Sequence, residues 1–415
     1  MTEHRALHFS LRLALSLCLA ALASGCVNTT VKTVNFESAE TAPEIAEAQL
    51  LDVGIAIFDP AIPEDWEDRE SANIVPDVRR AEARYMPQVL KTTLEGSGNW
   101  GAVRVLPRAS AAVDLAIEGR IVESDGELLE IHVLARDATG RVWIDDDYRY
   151  LTSKYAYESG APEQVDPFQP LYNRIANDLL ETFRDLDDPD WRRIRQIAEM
   201  RFAQEFAPEA FAGYAEQGRD GRWRLLRLPA DDDPMLQRIR RVREREYLFI
   251  DTLDEYYTAF RSDMSRSYQD YRRFTYDEAV QKRRLEREGN QALLAGALGA
   301  AAATAIAMNT ESRTADFAST VAAIGSIGMG LRTKVRRRGE ASIHRDAIRE
   351  LGTQLEGEVT PLVIELDDRT FTLTGTVDEQ YERWRGILRD LYAEEQGLPS
   401  ATTAASSEAA PAAAL

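Results

Sequence analysis

At 415 residues the chain is longer than one core ordinarily holds, so two or three domains are expected. A formal net charge of −20 disfavours nucleic acid and anionic lipid as partners of the surface as a whole. With two cysteines and four histidines, stability must come from packed cores, and metal or nucleophile–base sites have little to be built from.

The chain opens with a short apolar run, Leu13 to Leu22, preceded by Arg5 and Arg12. It closes on Ala23-Ser24-Gly25-Cys26, and the polar Asn28-Thr29-Thr30 follows. A basic start, a brief apolar core and small residues at a cleavage point describe an export signal over 1–25, not a spanning helix. The Cys placed just after the small residues resembles the lipobox of bacterial lipoproteins. It departs from that pattern in having Ala23 where the family prefers Leu, with Leu22 one position further out. The resemblance implies that Cys26 is lipidated and becomes the mature N-terminus. Val27, in place of an Asp, implies the outer membrane. Ordinary cleavage after Ala23 or Gly25 is the alternative and would give a soluble periplasmic protein. Each buried methylene contributes about 0.8 kcal/mol and one acyl chain binds reversibly, so a multi-chain anchor is needed for permanent attachment. Cys18 lies inside the signal, which leaves an exported protein no internal disulfide.

Residues 26–48 read as a tether. The branched residues of Leu51 to Phe58 fall on odd positions, the strand period. Val78, Ala81, Tyr85, Val89 and Leu94 give a helix over 77–95, which Pro87 is expected to kink or divide. Val103 to Leu106 is a short strand. Val113, Leu115, Ile117 and Ile121 make the next, and Asp125-Gly126 turns the chain back into Leu129, Ile131 and Val133. Ala138-Thr139-Gly140 turns again before Val142-Trp143-Ile144. A helix capped near Asp166-Pro167 follows, its face formed by Phe168, Leu171, Ile175, Leu179, Phe183 and Leu186. This β-α-β-β-β-β-α order over 49–186 predicts an α+β fold, a helix-backed and mostly antiparallel sheet. The order, with its step into Asn99-Trp100-Gly101-Ala102-Val103, is similar to the small domain of several envelope lipoproteins and to the N-terminal domain of the TolB family. That likeness implies assembly and docking, not catalysis.

Residues 187–233 read as a helical connector. From Met235, Ile239, Val242, Phe249, Leu253, Tyr256, Phe260, Met264 and Tyr271 step by threes, fours and sevens with no Pro or Gly before 289. That is a long amphipathic helix with a coiled-coil-like seam. It leads into two Ala/Gly-rich runs, 292–308 and 317–331. Ala295, Gly299, Ala303 and Ala307 recur every four positions on the first run, and Ala318, Ala322, Ser326 and Gly330 on the second. Spacing of four lines up one helix face, and small residues let two backbones approach closely. A long antiparallel helical hairpin over 234–340 is therefore expected. Its tip either packs on itself or on sister subunits of a homo-oligomer, or it dips into a membrane. Each run is shorter than the roughly 20 residues a spanning helix needs. The basic flanks Lys282-Arg283-Arg284 and Lys334 to Arg338 would suit lipid headgroups.

Residues 341–395 predict a small αββα unit: a helix over 341–356, strands at Leu362 to Leu366 and Phe371 to Val377, and a helix with Tyr381, Trp384, Ile387, Leu388 and Leu391. The Thr372-Leu373-Thr374-Gly375-Thr376-Val377 strand running into that helix resembles BON domains, small envelope modules linked to membrane surfaces. A tail rich in Ala, Ser and Thr occupies 396–415.

Chemistry has few candidates. His132 and His344 lie outside the signal but in different domains, and no HExxH motif, G-x-S-x-G elbow or P-loop occurs. The runs Asp145-Asp146-Asp147 and Asp231-Asp232-Asp233 lack EF-hand spacing and are expected in caps and solvated turns. No catalytic residue, cofactor or metal is therefore expected. The expected role is a non-enzymatic scaffold or assembly component of a cell-envelope complex, held to the outer membrane through Cys26 and partnered by other envelope proteins. The alternative is a transport or secretion accessory whose hairpin enters the membrane or lines an oligomeric pore.

Overall fold

A five-stranded sheet organises the chain. The computed structural model describes residues 39–41, 45–72, 74–110, 113–157, 165–307, 345–350, 362–366 and 369–397. The sheet comprises β1 (Val53–Ala56), β2 (Val103–Leu106), β3 (Leu115–Ser124), β4 (Leu128–Asp137) and β5 (Val142–Leu151), in the order β2-β1-β3-β4-β5. β1 pairs parallel with both β2 and β3, and β3, β4 and β5 form an antiparallel meander. β1 is buried along its whole length. Gly54 admits that packing, because a Cβ there would lie 2.6 Å from Leu106 and 2.9 Å from Val113.

Helix α1 (Trp66–Ser71) precedes α2 (Pro76–Ser97), which runs unbroken through Pro87. The helix does not divide there, for a specific reason. Proline withdraws the N–H that the Ala83 carbonyl would accept, and the Phe58 backbone N–H takes that place at 3.0 Å. α3 (Gln169–Arg184) lies beside α2, and the two back one face of the sheet. Ile55, Phe58, Ile117 and Ile131 from the sheet meet Tyr85, Leu90, Leu171 and Ile175 there, all buried. Full burial of each such side chain contributes roughly 1.5–3 kcal/mol.

The connector is only partly helical. α4 (Asp188–Phe206) and the single turn α5 (Pro208–Phe211) lead into a hairpin of β6 (Ala215–Gln217) and β7 (Trp223–Leu225). The Asp145-Asp146-Asp147 run is not a turn either. It lies inside β5, where the exposed face receives Asp145 and Asp147 beside His132 of β4, with Nδ1 2.9 Å from Asp147 and Nε2 3.2 Å from Asp145. Trp143, Ile144 and Tyr148 supply the strand's buried positions, which carries β5 past Ile144 to Leu151.

Helix α6 (Pro234–Ala307) is continuous for 74 residues, about 110 Å at 1.5 Å per residue. Its buried row is Leu236, Ile239, Val242, Glu246, Phe249, Leu253, Tyr257, Phe260, Met264, Tyr268 and Arg272, then Ala279 and Arg283. From Phe260 to Arg272 the row steps by four three times running. It drifts from a heptad and follows a straight helix lying on a globular body. Tyr256 and Tyr271 are only half-buried, because Tyr257 and Arg272 take the seam. The row's occupant is this chain itself: α2, α3 and the sheet from Phe260 onward, and α4 with the C-terminal helix before it. The second arm of the expected hairpin falls outside the described residues.

At the C-terminal end, β8 (Leu362–Leu366) and β9 (Arg369–Leu373) form an antiparallel pair, and α7 (Val377–Glu395) follows. The strand ends at Leu373, not at Val377 as expected. Gly375 has φ 104° and Thr376 caps α7, accepting the Glu379 N–H while the Glu379 carboxylate accepts that of Thr376. Of the expected 341–356 helix, 345–350 is described and helical, with Ile348 buried in the first core. α7 shares a second core with α4, α6 and the outer side of β2. Trp384 and Tyr381 stack on Phe249 at 5.7 and 6.1 Å, beside Val105, Leu106 and Phe206.

Candidate functional site

Of the residues singled out from the sequence, Cys26 lies outside the described residues, as do Ala318, Ala322, Ser326 and Gly330. Ala295, Gly299, Ala303 and Ala307 fall on the last turns of α6, where their spacing of four puts them on one helix face. They belong to the same rod that is seated on the body further back. Past Arg283, residues 284–307 add about 36 Å of helix.

The seat is polar where a coiled-coil seam would be apolar. Arg272 is 1% exposed and its Nη1 donates to Asp166 at 3.2 and 3.4 Å. Its guanidinium lies 3.7 Å from the Tyr268 ring centre and 4.8 Å from that of Phe168. Asp166 also accepts the Phe168 N–H at 2.8 Å and the Tyr85 hydroxyl at 3.2 Å. Alongside, the Tyr268 hydroxyl donates to Glu82 at 2.5 Å, and Glu82 is joined by Ser124 and Arg79. Burial raises the pKa values of Tyr85, Tyr268 and Tyr172, so these phenols stay protonated as donors.

One helical turn on, the β3–β4 turn presses on the helix backbone. A Cβ on Gly126 would collide with the Arg272 carbonyl and come within 2.5 Å of the Tyr276 nitrogen. Tyr157 holds that turn, donating to the Gly126 carbonyl at 2.8 Å and meeting Tyr276 edge-on. Glu123, Asp125 and Glu127 then close on Arg283, with Glu123 at 2.9 Å and Glu127 at 2.6 Å. Arg283 is 8% exposed and is thereby withdrawn from the headgroup-facing role its basic neighbourhood suggested. A helical face carrying Arg272 and Arg283 looks solvated in the sequence. Only the triplet of acids around Asp125-Gly126 signalled a cationic partner.

The near end of α6 has its own polar seat. Glu246 is fully buried, accepts the Tyr381 hydroxyl at 2.7 Å and lies 3.5 Å from Arg385, which also pairs with Glu205 at 2.8 Å. Next to it, Asp52, Asp114, Arg195, Glu199, Arg240, Arg243 and Tyr247 line an open cavity of about 370 Å³. Arg240 pairs with Glu199 through two bonds, at 2.6 and 3.3 Å. Arg195 reaches Asp114 at 3.6 Å and donates to the Ala48 and Leu50 carbonyls. Burial raises the carboxyl of Asp114 and pushes Tyr247 up to about 12. These groups brace α4 and α6 against the start of the sheet. Among the described residues, no group of three His, Cys, Asp or Glu side chains is placed to hold a metal ion, and no helix is long and apolar enough to cross a membrane.

The arrangement holds a helix; its polar groups are mostly committed to one another. No protein-family model matches the chain, and no curated protein or solved structure is found to be similar to it.

Proposed function

We propose that this protein is a lipid-anchored, non-enzymatic scaffold of the bacterial envelope, tethered through Cys26 to the outer membrane and presenting the far end of α6 to other envelope proteins or to further copies of itself. The observation that carries the reading is the continuity of α6. One helix passes from the Glu246 seat, through the Arg272 and Arg283 seats, into the segment with Ala295, Gly299, Ala303 and Ala307. A rod held at three charged points transmits force and position to its end, which suits assembly better than turnover. The small residues at that end allow close backbone packing.

Fractionation with site-directed changes tests this. Cys26→Ser is expected to move the protein from the membrane to the soluble fraction. Gly299→Leu with Ala303→Leu is expected to abolish its cross-linked complexes while leaving unfolding of the body unchanged. Complexes that persist in the Leu variant, or membrane attachment that persists in Cys26→Ser, would remove the support for the reading. Ion conductance by the purified protein in planar bilayers would favour a transport accessory instead.

A further inference from the structure

We infer that the cleft between the β4–β5 turn, the start of α4 and the β6–β7 turn is a binding site for a phosphoryl group. The cleft has a volume of about 200 Å³, and its polar lining is Arg141, Arg193 and Arg222 with Asp137, Asp190 and Thr139, beside Trp223. Three arginines from three elements line it, in a chain whose net charge is −20.

The cations in this cleft differ from those in the Asp114 cavity. There, Arg240 and Arg195 are paired with Glu199 and Asp114. Here, neither Arg141 nor Arg222 has a carboxylate within ion-pair distance of its side chain among the described residues, and Arg193 has only a long 3.8 Å contact with Asp190. Asp137 does not serve them. Its Oδ1 accepts from the Thr139 N–H and hydroxyl and the Arg141 N–H, and its Oδ2 from Trp143 Nε1 at 2.8 Å. A fourth cation strengthens the field. Arg201 lies 5.0 Å from the Trp223 ring centre and donates to the Ala138 carbonyl at 2.9 Å; burial lowers its pKa.

The backbone fixes this arrangement. The Trp223 N–H donates to the Thr139 carbonyl at 2.7 Å, locking the two turns together. A Cβ on Gly140, whose φ is 83°, would lie 2.6 Å from the Gly221 carbonyl. The two turns can meet this closely only because that position is glycine. Arginine forks bind phosphate oxygens in pairs, and three forks suit a tetrahedral group with three free oxygens better than a planar carboxylate. The inference goes beyond the scaffold reading and stands or falls separately. The phosphoryl group has two sources, a soluble phosphate or a lipid phosphomonoester.

The test uses the full chain carrying Cys26→Ser, so that no lipid anchor contributes. Calorimetric titration with inorganic phosphate at low salt reads the first source, and co-sedimentation with vesicles containing phosphatidic acid reads the second. Saturable binding in either arm is expected, weakened at least about tenfold by Arg141→Gln with Arg222→Gln and weakened by added salt. Arg224→Gln, next to the cleft on β7 and paired with Asp220, is expected to leave binding unchanged. Arg141 and Arg222 carry no side-chain ion pair among the described residues, so the double variant keeps its fold, which circular dichroism checks. Absence of binding in both arms overturns the inference. So does a folded double variant that binds as wild type does, or an Arg224→Gln variant that loses as much.

Discussion

Replacing Arg272 with Met tests how α6 is held. Arg272 and Asp166 are 1% and 2% exposed, so neither charge can return to water without undocking the helix. Breaking a buried pair from one side costs about 3–5 kcal/mol, because the remaining charge is left uncompensated. The lower end applies here, since Asp166 keeps the Phe168 N–H at 2.8 Å and the Tyr85 hydroxyl at 3.2 Å. Two nitrogens of Arg272, Nε and Nη2, have no hydrogen-bond partner among the described residues, so the pair is not worth its full Coulomb energy. Arg272→Met alone is therefore expected to lose about 3 kcal/mol. Arg272→Met with Asp166→Asn is expected to lose about 1 kcal/mol, because no buried charge remains. Urea unfolding of the four members of the cycle gives both numbers, and the double variant is expected to cost less than either single variant. A single variant within about 0.5 kcal/mol of wild type, or a double variant costing the sum of the singles, refutes the reasoning.

Three further outcomes follow from the same contacts. Pro87→Ala would gain about 3 kcal/mol in an ordinary helix interior, yet is expected to change urea stability by less than about 1 kcal/mol, since the Phe58 N–H already serves the Ala83 carbonyl. Gly126→Ala is expected to cost about 2 kcal/mol and to raise hydrogen exchange in 268–283, because its Cβ meets helix backbone that cannot step aside. Asp114→Asn is expected to stabilise the protein at neutral pH. Burial raises the folded carboxyl above its unfolded value, so the stability Asp114 contributes is present below the unfolded range near pH 4 and is lost as pH rises through the folded value. The gain from Asn should therefore close as pH falls below about 4, and a gain that persists there contradicts the burial argument.

The periodic elements were legible in the sequence. Leu129, Ile131 and Val133 alternate as β4, and the Asp125-Gly126 and Thr139-Gly140 turns fall where the residue types put them. The long helix was legible from its uninterrupted stepping. What escaped was decided by tertiary partners. Pro87 reads as a break until Phe58 satisfies the carbonyl behind it. Asp145 and Asp147 read as a turn because their strand's face is paired to His132, which is distant in sequence. The residues that seat α6 were hidden most fully. Glu246, Arg272 and Arg283 are charged, and a hydrophobic pattern assigns charge to the outside. The arginine cleft was equally invisible, because Arg141, Arg193 and Arg222 come from two turns and a helix that are distant in sequence.

Photo-cross-linking in intact envelopes tests the scaffold reading most directly, with a photoreactive residue at position 303 at the far end of α6 and, as a control, at position 248, where Leu248 is 67% exposed on the body's part of the same helix. A discrete adduct from position 303, absent from position 248 and lost when Cys26→Ser detaches the protein, is the predicted result. No adduct at 303, or the same adduct in the detached protein, would contradict it.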